Sequence, residues 1–121
     1  YVEMQWLMLQ QEQPKDFVIA SGQQYSVREF INLAAKFIDI KIIWKGNGEE
    51  EVGIDAKTNK IIIRIDPVYF RPTDVEELLG DASKAKNELG WEPKTSFEEM
   101  VEEMIMSDFR NAEKDLLYLN L

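Results

Sequence analysis

The sequence predicts a small mixed α/β domain. Two Ser-x-x-Glu capping boxes open amphipathic runs, a stretch rich in β-branched residues folds back through a polar turn, and 45% of the 121 residues are hydrophobic. That length and apolar content suit one compact domain with a single core, spanning residues 1–121. Charged residues make up 31%, too mixed with apolar ones for a disordered chain.

The chain opens in a helical pattern. Val2, Trp6 and Leu9 recur at i, i+4 and i+7, with Met4, Leu7 and Met8 alongside, so a helix is expected from Tyr1 to about Gln13, stopped by Pro14. No capping residue precedes it, and the sequence therefore reads as truncated at its N-terminus. Asp16–Ala20 reads as a short buried strand, followed by a turn at Ser21-Gly22-Gln23. Ser26-Val-Arg-Glu29 is a capping box, and Phe30, Ile31, Leu33, Ala34, Phe37 and Ile38 supply the apolar face of the helix it starts.

Lys41–Trp44 reads as a second strand. Glu49–Asp55 and Lys60–Asp66 form a hairpin around Ala56-Lys-Thr-Asn59, ended by Pro67. Two short helices follow, the second capped by Gly90. Ser96-Phe-Glu-Glu99 is the second capping box, opening a long helix with Phe97, Met100, Val101, Met104, Ile105 and Phe109 on one face.

Composition removes several kinds of chemistry. With no Cys and no His there is no disulfide framework, thiolate nucleophile, imidazole base or ordinary zinc site. A net charge of −9 argues against nucleic acid or an anionic membrane as partner. No run approaches the roughly 18 apolar residues of a membrane span, and the absence of Cys is compatible with the cytoplasm.

Gly46-Asn-Gly48 lacks the third glycine of a dinucleotide fingerprint and runs into Glu49, Glu50 and Glu51, so a plain turn is expected. The acid pairs Glu76-Glu77, Glu98-Glu99 and Glu102-Glu103 fall at helix starts or on solvent faces, where acids complement the helix dipole. The methionines and Trp6, Trp44 and Trp91 are expected in the core. Arg71 and Asp74 are the binding candidates. Arg71 precedes Pro72 on extended chain, where a guanidinium can grip a diphosphate with two parallel hydrogen bonds. Asp74, three residues on, can accept hydrogen bonds from ribose hydroxyls. The competing reading pairs Arg71 with a nearby acid and makes Asp74 a helix cap.

The stretches Tyr1–Gln10, Asp16–Gly22, Tyr25–Phe30, Asp66–Val75, Leu79–Lys86 and Leu89–Pro93 together resemble the C-terminal portion of the GDP-mannose 4,6-dehydratase family. That family is a nucleotide-sugar branch of the extended short-chain dehydrogenases/reductases. Arg71-Pro-x-acid and Gly80-Asp-x-x-Lys-Ala85 are shared across the branch. Tyr1-Val-Glu-Met-Gln-Trp6 and Asp16–Ala20 are more particular to the GDP-mannose enzymes. The resemblance implies a substrate-binding domain that closes over GDP-mannose, with Arg71 on the diphosphate and Asp74 on the guanosine ribose. The family usually carries Glu where Asp74 stands, which shortens the reach there.

The resemblance also implies NADP held by an N-terminal Rossmann domain absent from this sequence, and homo-oligomers. The implied reaction is oxidation at C4, loss of water across C5–C6 and hydride return to C6, giving GDP-4-keto-6-deoxymannose. Such chemistry needs a Tyr-x-x-x-Lys pair. Tyr1 is followed by Gln5, Tyr25 by Glu29 and Tyr69 by Thr73, and Tyr118 has too little chain after it. No catalytic residue, cofactor residue or metal ligand is therefore expected, and the fragment alone should be inactive. The alternatives are the substrate domain of another nucleotide-sugar epimerase or dehydratase, or a non-enzymatic acidic interaction domain.

Overall fold

The structure, a computed structural model, describes residues 1–71 and 78–119. Its order is α1 (Val2–Leu9), α2 (Val27–Phe37), β1 (Ile42–Lys45), a 3-10 turn (Gly48–Glu50), β2 (Val52–Asp55), β3 (Ile61–Arg64), α3 (Ser83–Leu89) and α4 (Phe97–Leu119). The mixed α/β class holds. Where the sequence suggested one core, packing is shared between two compact units: residues 1–25 with 75–96, and residues 26–74 with 97–121.

In the first unit, Met4, Ala85 and Trp91 form the buried centre, with Leu7, Met8, Phe17, Ile19 and Leu89 packed against it. This corrects the expected face of α1. Met4 is fully buried, whereas Val2, Trp6 and Leu9 are 79%, 59% and 82% exposed. α1 also ends at Leu9, short of Pro14. The amide of Gln10 donates back to the Leu7 carbonyl and that of Gln11 to the Met8 carbonyl, tightening the last turn. Gln10–Gln13 have no apolar side chain to bury, so packing cannot extend the helix.

Asp16–Ala20 forms no strand. A strand needs a hydrogen-bonded neighbour, and no described residue provides one. The segment is instead held by its side chains. Phe17 and Ile19 pack inward, and the Lys84 ammonium donates to the Asp16 carbonyl at 2.8 Å while lying 4.9 Å from the Phe17 ring centroid. Gly80 explains how close the Gly-Asp motif runs to this segment: a Cβ there would sit 2.6 Å from the Ala20 Cβ. α3 ends at Gly90 in the left-handed conformation, as expected. The other expected short helix lies outside the described residues.

The second unit carries a three-stranded antiparallel sheet in the order β1-β2-β3. Ile42 pairs with Asp55 and Lys45 with Val52; Val52 pairs with Arg64 and Gly53 with Ile63, and an irregularity follows at Gly53/Ile54. The hairpin turn is built by Asp55. Its carboxylate accepts from the Lys57 amide at 2.9 Å and the Thr58 hydroxyl at 2.6 Å, which satisfies a nearly buried acid.

α2 begins with the expected capping box. Ser26 Oγ accepts from the Glu29 amide at 3.1 Å, and the Glu29 carboxylate accepts from the Ser26 amide at 2.7 Å. Arg28 stacks over Trp44, 5.4 Å from its ring centroid, and pairs with Glu51; Trp44 donates its indole N–H to Asn32 at 2.9 Å. These contacts tie α2 to the sheet. Phe30 meets Phe97 of α4 at 6.2 Å between centroids. On α4 only Val101 is fully buried. Met100, Met104, Met106 and Phe109 are 39–48% exposed, so the expected core role of those methionines is not met.

Glu29, Asp55, Asp81 and Glu88 are all held below the usual carboxylate range. The causes are, in turn, the Ser26 amide and hydroxyl, the Thr58 hydroxyl and Lys57 amide, the Ser83 hydroxyl and amide, and the Lys15 ammonium. Such groups bind fewer protons folded than unfolded. Their stabilisation is therefore complete above the unfolded pKa of about 4 and is lost as pH falls through the folded values. With no His in the chain, the urea midpoint should stay level between about pH 5.5 and 8 and fall steadily below about pH 4. Urea titrations across that range check this.

Candidate functional site

The run from Tyr69 to Trp91 divides between the two units, with Arg71 in the sheet-bearing unit and Gly80–Trp91 in the other. Asp66 positions the approach to Arg71. Its carbonyl accepts from the amides of Tyr69 (3.0 Å) and Phe70 (3.2 Å), and its carboxylate accepts from the Val68 amide at 2.9 Å. The carboxylate and the backbone carbonyl of this one residue together fix where the chain turns after β3. Phe70 is then half-buried and Arg71 exposed, outside helix and strand.

The alternative of Arg71 held by a neighbouring acid has no counterpart among the described residues. The ion pairs there join Lys15–Glu88, Arg28–Glu51, Lys36–Glu98, Lys57–Asp39, Lys86–Glu92 and Lys94–Glu3. Asp74 lies outside the described residues, as do Glu76 and Glu77.

The first unit also contains an open cleft of about 420 Å³, bordered by Ser21, Gly22, Asp81, Lys86 and Trp91. Its polar groups are already engaged. Asp81 accepts from the Ser83 amide (2.9 Å) and hydroxyl (2.5 Å), Ser21 exchanges hydrogen bonds with the Gln23 backbone, and Lys86 pairs with Glu92, which pushes the ammonium pKa up. Gly80-Asp-x-x-Lys-Ala85 is thus a folding motif here: Gly80 for close approach, Asp81 for the turn into α3, and Ala85 for the core.

Gly46–Gly48 does not fit a dinucleotide. A Cβ on Gly46 would fall 2.6 Å from the Glu50 carbonyl oxygen, so this glycine closes onto its own loop. A three-residue 3-10 turn carrying Glu49 and Glu50 follows. Carboxylates at that position repel phosphate. Among the described residues no group of three His, Cys, Asp or Glu could hold a metal, and no helix is long and apolar enough to cross a membrane. Trp91 is the core anchor expected of it. Trp44 is a half-buried strut, and Trp6 is exposed.

Comparison with known proteins places this architecture. The family described as GDP-mannose 4,6 dehydratase matches residues 1–104. The chain is 51% identical over 115 residues to a GDP-mannose 4,6 dehydratase of Drosophila melanogaster, covering 95% of this chain and 29% of that protein. It is 52% identical over 117 residues to one of Dictyostelium discoideum (94% and 33%) and 48% identical over 127 residues to one of Vibrio cholerae (97% and 34%). The chain thus spans about a third of the length of the curated relatives it matches. An identity near one half, sustained across nearly all of its residues, shows that the chain belongs to the GDP-mannose 4,6-dehydratase family.

Proposed function

We propose that residues 1–121 are the C-terminal, substrate-binding part of a GDP-mannose 4,6-dehydratase, contributing the nucleotide-gripping half of its site. The observation that carries this reading is Arg71. It is an exposed guanidinium, engaged by no described acid, delivered just past the turn that Asp66 builds. In that setting it can offer two parallel donors to a diphosphate, while Asp74 accepts from the guanosine ribose.

NADP, the cofactor implied by the resemblance, would be held by an N-terminal Rossmann domain and would accept and return the hydride. The residues of this chain bind and orient; no Tyr-x-x-x-Lys pair is present to move a proton. The product is GDP-4-keto-6-deoxymannose, the parent is a cytoplasmic homo-oligomer, and the present chain alone is inactive.

The base is tested by competition on the full-length protein. GDP should displace GDP-mannose at concentrations at least tenfold below UDP or dTDP. Equal displacement by all three would point to a nucleotide-sugar enzyme of different specificity.

A further inference from the structure

The loop Gly46-Asn-Gly48 has no part in the nucleotide reading, yet it brings together the requirements of a different chemistry. Asn47 is followed by glycine, whereas Asn32, Asn59, Asn87, Asn111 and Asn120 precede Leu, Lys, Glu, Ala and Leu. The backbone nitrogen after an asparagine can attack the carbonyl carbon of that asparagine's side chain, and a side chain on the attacking residue obstructs the approach. Gly48 has none, and nothing lies within 4 Å of where a Cβ would stand. Asn47 itself is exposed. It occupies the N-cap of the 3-10 turn, where an asparagine oxygen ordinarily accepts from an amide of the turn, but its side chain makes no capping hydrogen bond. Gly48 is the first residue of that turn, so its amide has no acceptor within it.

The fold holds the other described asparagines back. The Asn32 side chain accepts from the Trp44 indole at 2.9 Å. Asn87 and Asn111 lie inside α3 and α4, where the next amide is directed along the helix towards a carbonyl one turn back. After Asn59, the Lys60 amide donates to the Thr58 hydroxyl at 3.4 Å.

We propose that Asn47 is a deamidation site. The Gly48 nitrogen, deprotonated by solvent base, forms a bond to Asn47 Cγ. The Cγ–Nδ2 bond breaks, and Nδ2 takes up a proton and leaves as ammonia. One water then opens the resulting succinimide at either carbonyl, giving Asp or isoaspartate, and no oxidant or cofactor is consumed. Either product adds a negative charge beside Glu49, Glu50 and Glu51. In isoaspartate the main chain runs through the former side chain. The Asn47 carbonyl that accepts from the Glu50 amide at 3.3 Å then becomes a free carboxylate, and that bond of the turn is lost. The turn leads directly into Glu51, the partner of Arg28. Arg71 takes no part, so this site is independent of the nucleotide reading.

Peptide mapping by mass spectrometry tests it on the full-length protein, incubated folded at neutral and at mildly alkaline pH. Asn47 should convert at least about tenfold faster than Asn32, Asn59, Asn87 or Asn111, with isoaspartate as the larger product and a rate that rises with pH. Gly48→Ala should slow the conversion by about tenfold or more, because a methyl group then crowds the attacking nitrogen. In the converted protein the Glu50 amide should exchange its hydrogen faster. Asn47 left intact, another described asparagine converting first, Asp formed without isoaspartate, or a rate unmoved by Gly48→Ala would each overturn the proposal. An unchanged Glu50 amide would overturn its consequence for the turn. Gly48 has a φ of 58°, which strains alanine. Should Gly48→Ala not fold, the isoaspartate yield at Asn47 in the unsubstituted protein decides.

Discussion

Met4→Ala should lower the stability of the chain by about 2–5 kcal/mol, the range for truncating a buried methionine in a core that collapses only in part. Met4 is fully buried and touches the centre formed by Ala85 and Trp91. That centre joins α1, α3 and the Gly90-Trp91 exit, so a void there loosens three pieces of chain together. Trp6→Ala removes a larger side chain from the same helix. Trp6 is 59% exposed, and its loss should cost under about 1 kcal/mol. Urea denaturation of both variants gives the comparison. Equal losses, or the larger loss at Trp6, would mean that the buried face of α1 is the one headed by Val2, Trp6 and Leu9.

Arg71→Ala should raise the KM of the full-length protein for GDP-mannose by about 10- to 150-fold, the equivalent of about 1.5–3 kcal/mol for a hydrogen-bonded ionic contact. Arg71→Lys separates charge from shape. An ammonium keeps the positive charge but cannot present two parallel donors to one phosphate pair, so Lys should recover only part of the loss. Steady-state kinetics with GDP-mannose varied at saturating NADP supply the measurement. Because Arg71 is exposed and supports no described ion pair, neither variant should shift the urea midpoint of the protein appreciably.

What the sequence revealed follows from how local each determinant is. The capping box at Ser26 and Glu29 is a four-residue device, and it forms with both of its hydrogen bonds. The hairpin was legible for the same reason: Asp55 and Thr58 close the turn within four residues, between two stretches that favour strand. Asp16–Ala20 was read as a strand because its residues suit one, yet a strand is completed by a neighbour that its own residues do not specify. α1 is apolar nearly all round, with Val2, Met4, Trp6, Leu7, Met8 and Leu9 in eight positions, so spacing alone fitted two faces. Packing chose the Met4–Met8 side.

The methionines of α4 show the same limit, since helical spacing names a stripe and not what covers it. Arg71 stands apart. Its place ahead of Pro72 and three residues before Asp74 made it a candidate beside the reading of an ion-paired surface arginine, and the resemblance across Asp66–Val75 is what favoured the nucleotide reading. The structure adds the Asp66 turn and the lack of a described ion-pair partner, neither of which the motif itself contains.

Calorimetric titration of the full-length protein with GDP-mannose and, separately, with NADP tests the nucleotide-gripping assignment most directly. The expected result is that Arg71→Ala weakens GDP-mannose binding at least tenfold while NADP binding changes less than about threefold. An equal loss for both ligands, or unchanged affinity for GDP-mannose, would contradict it.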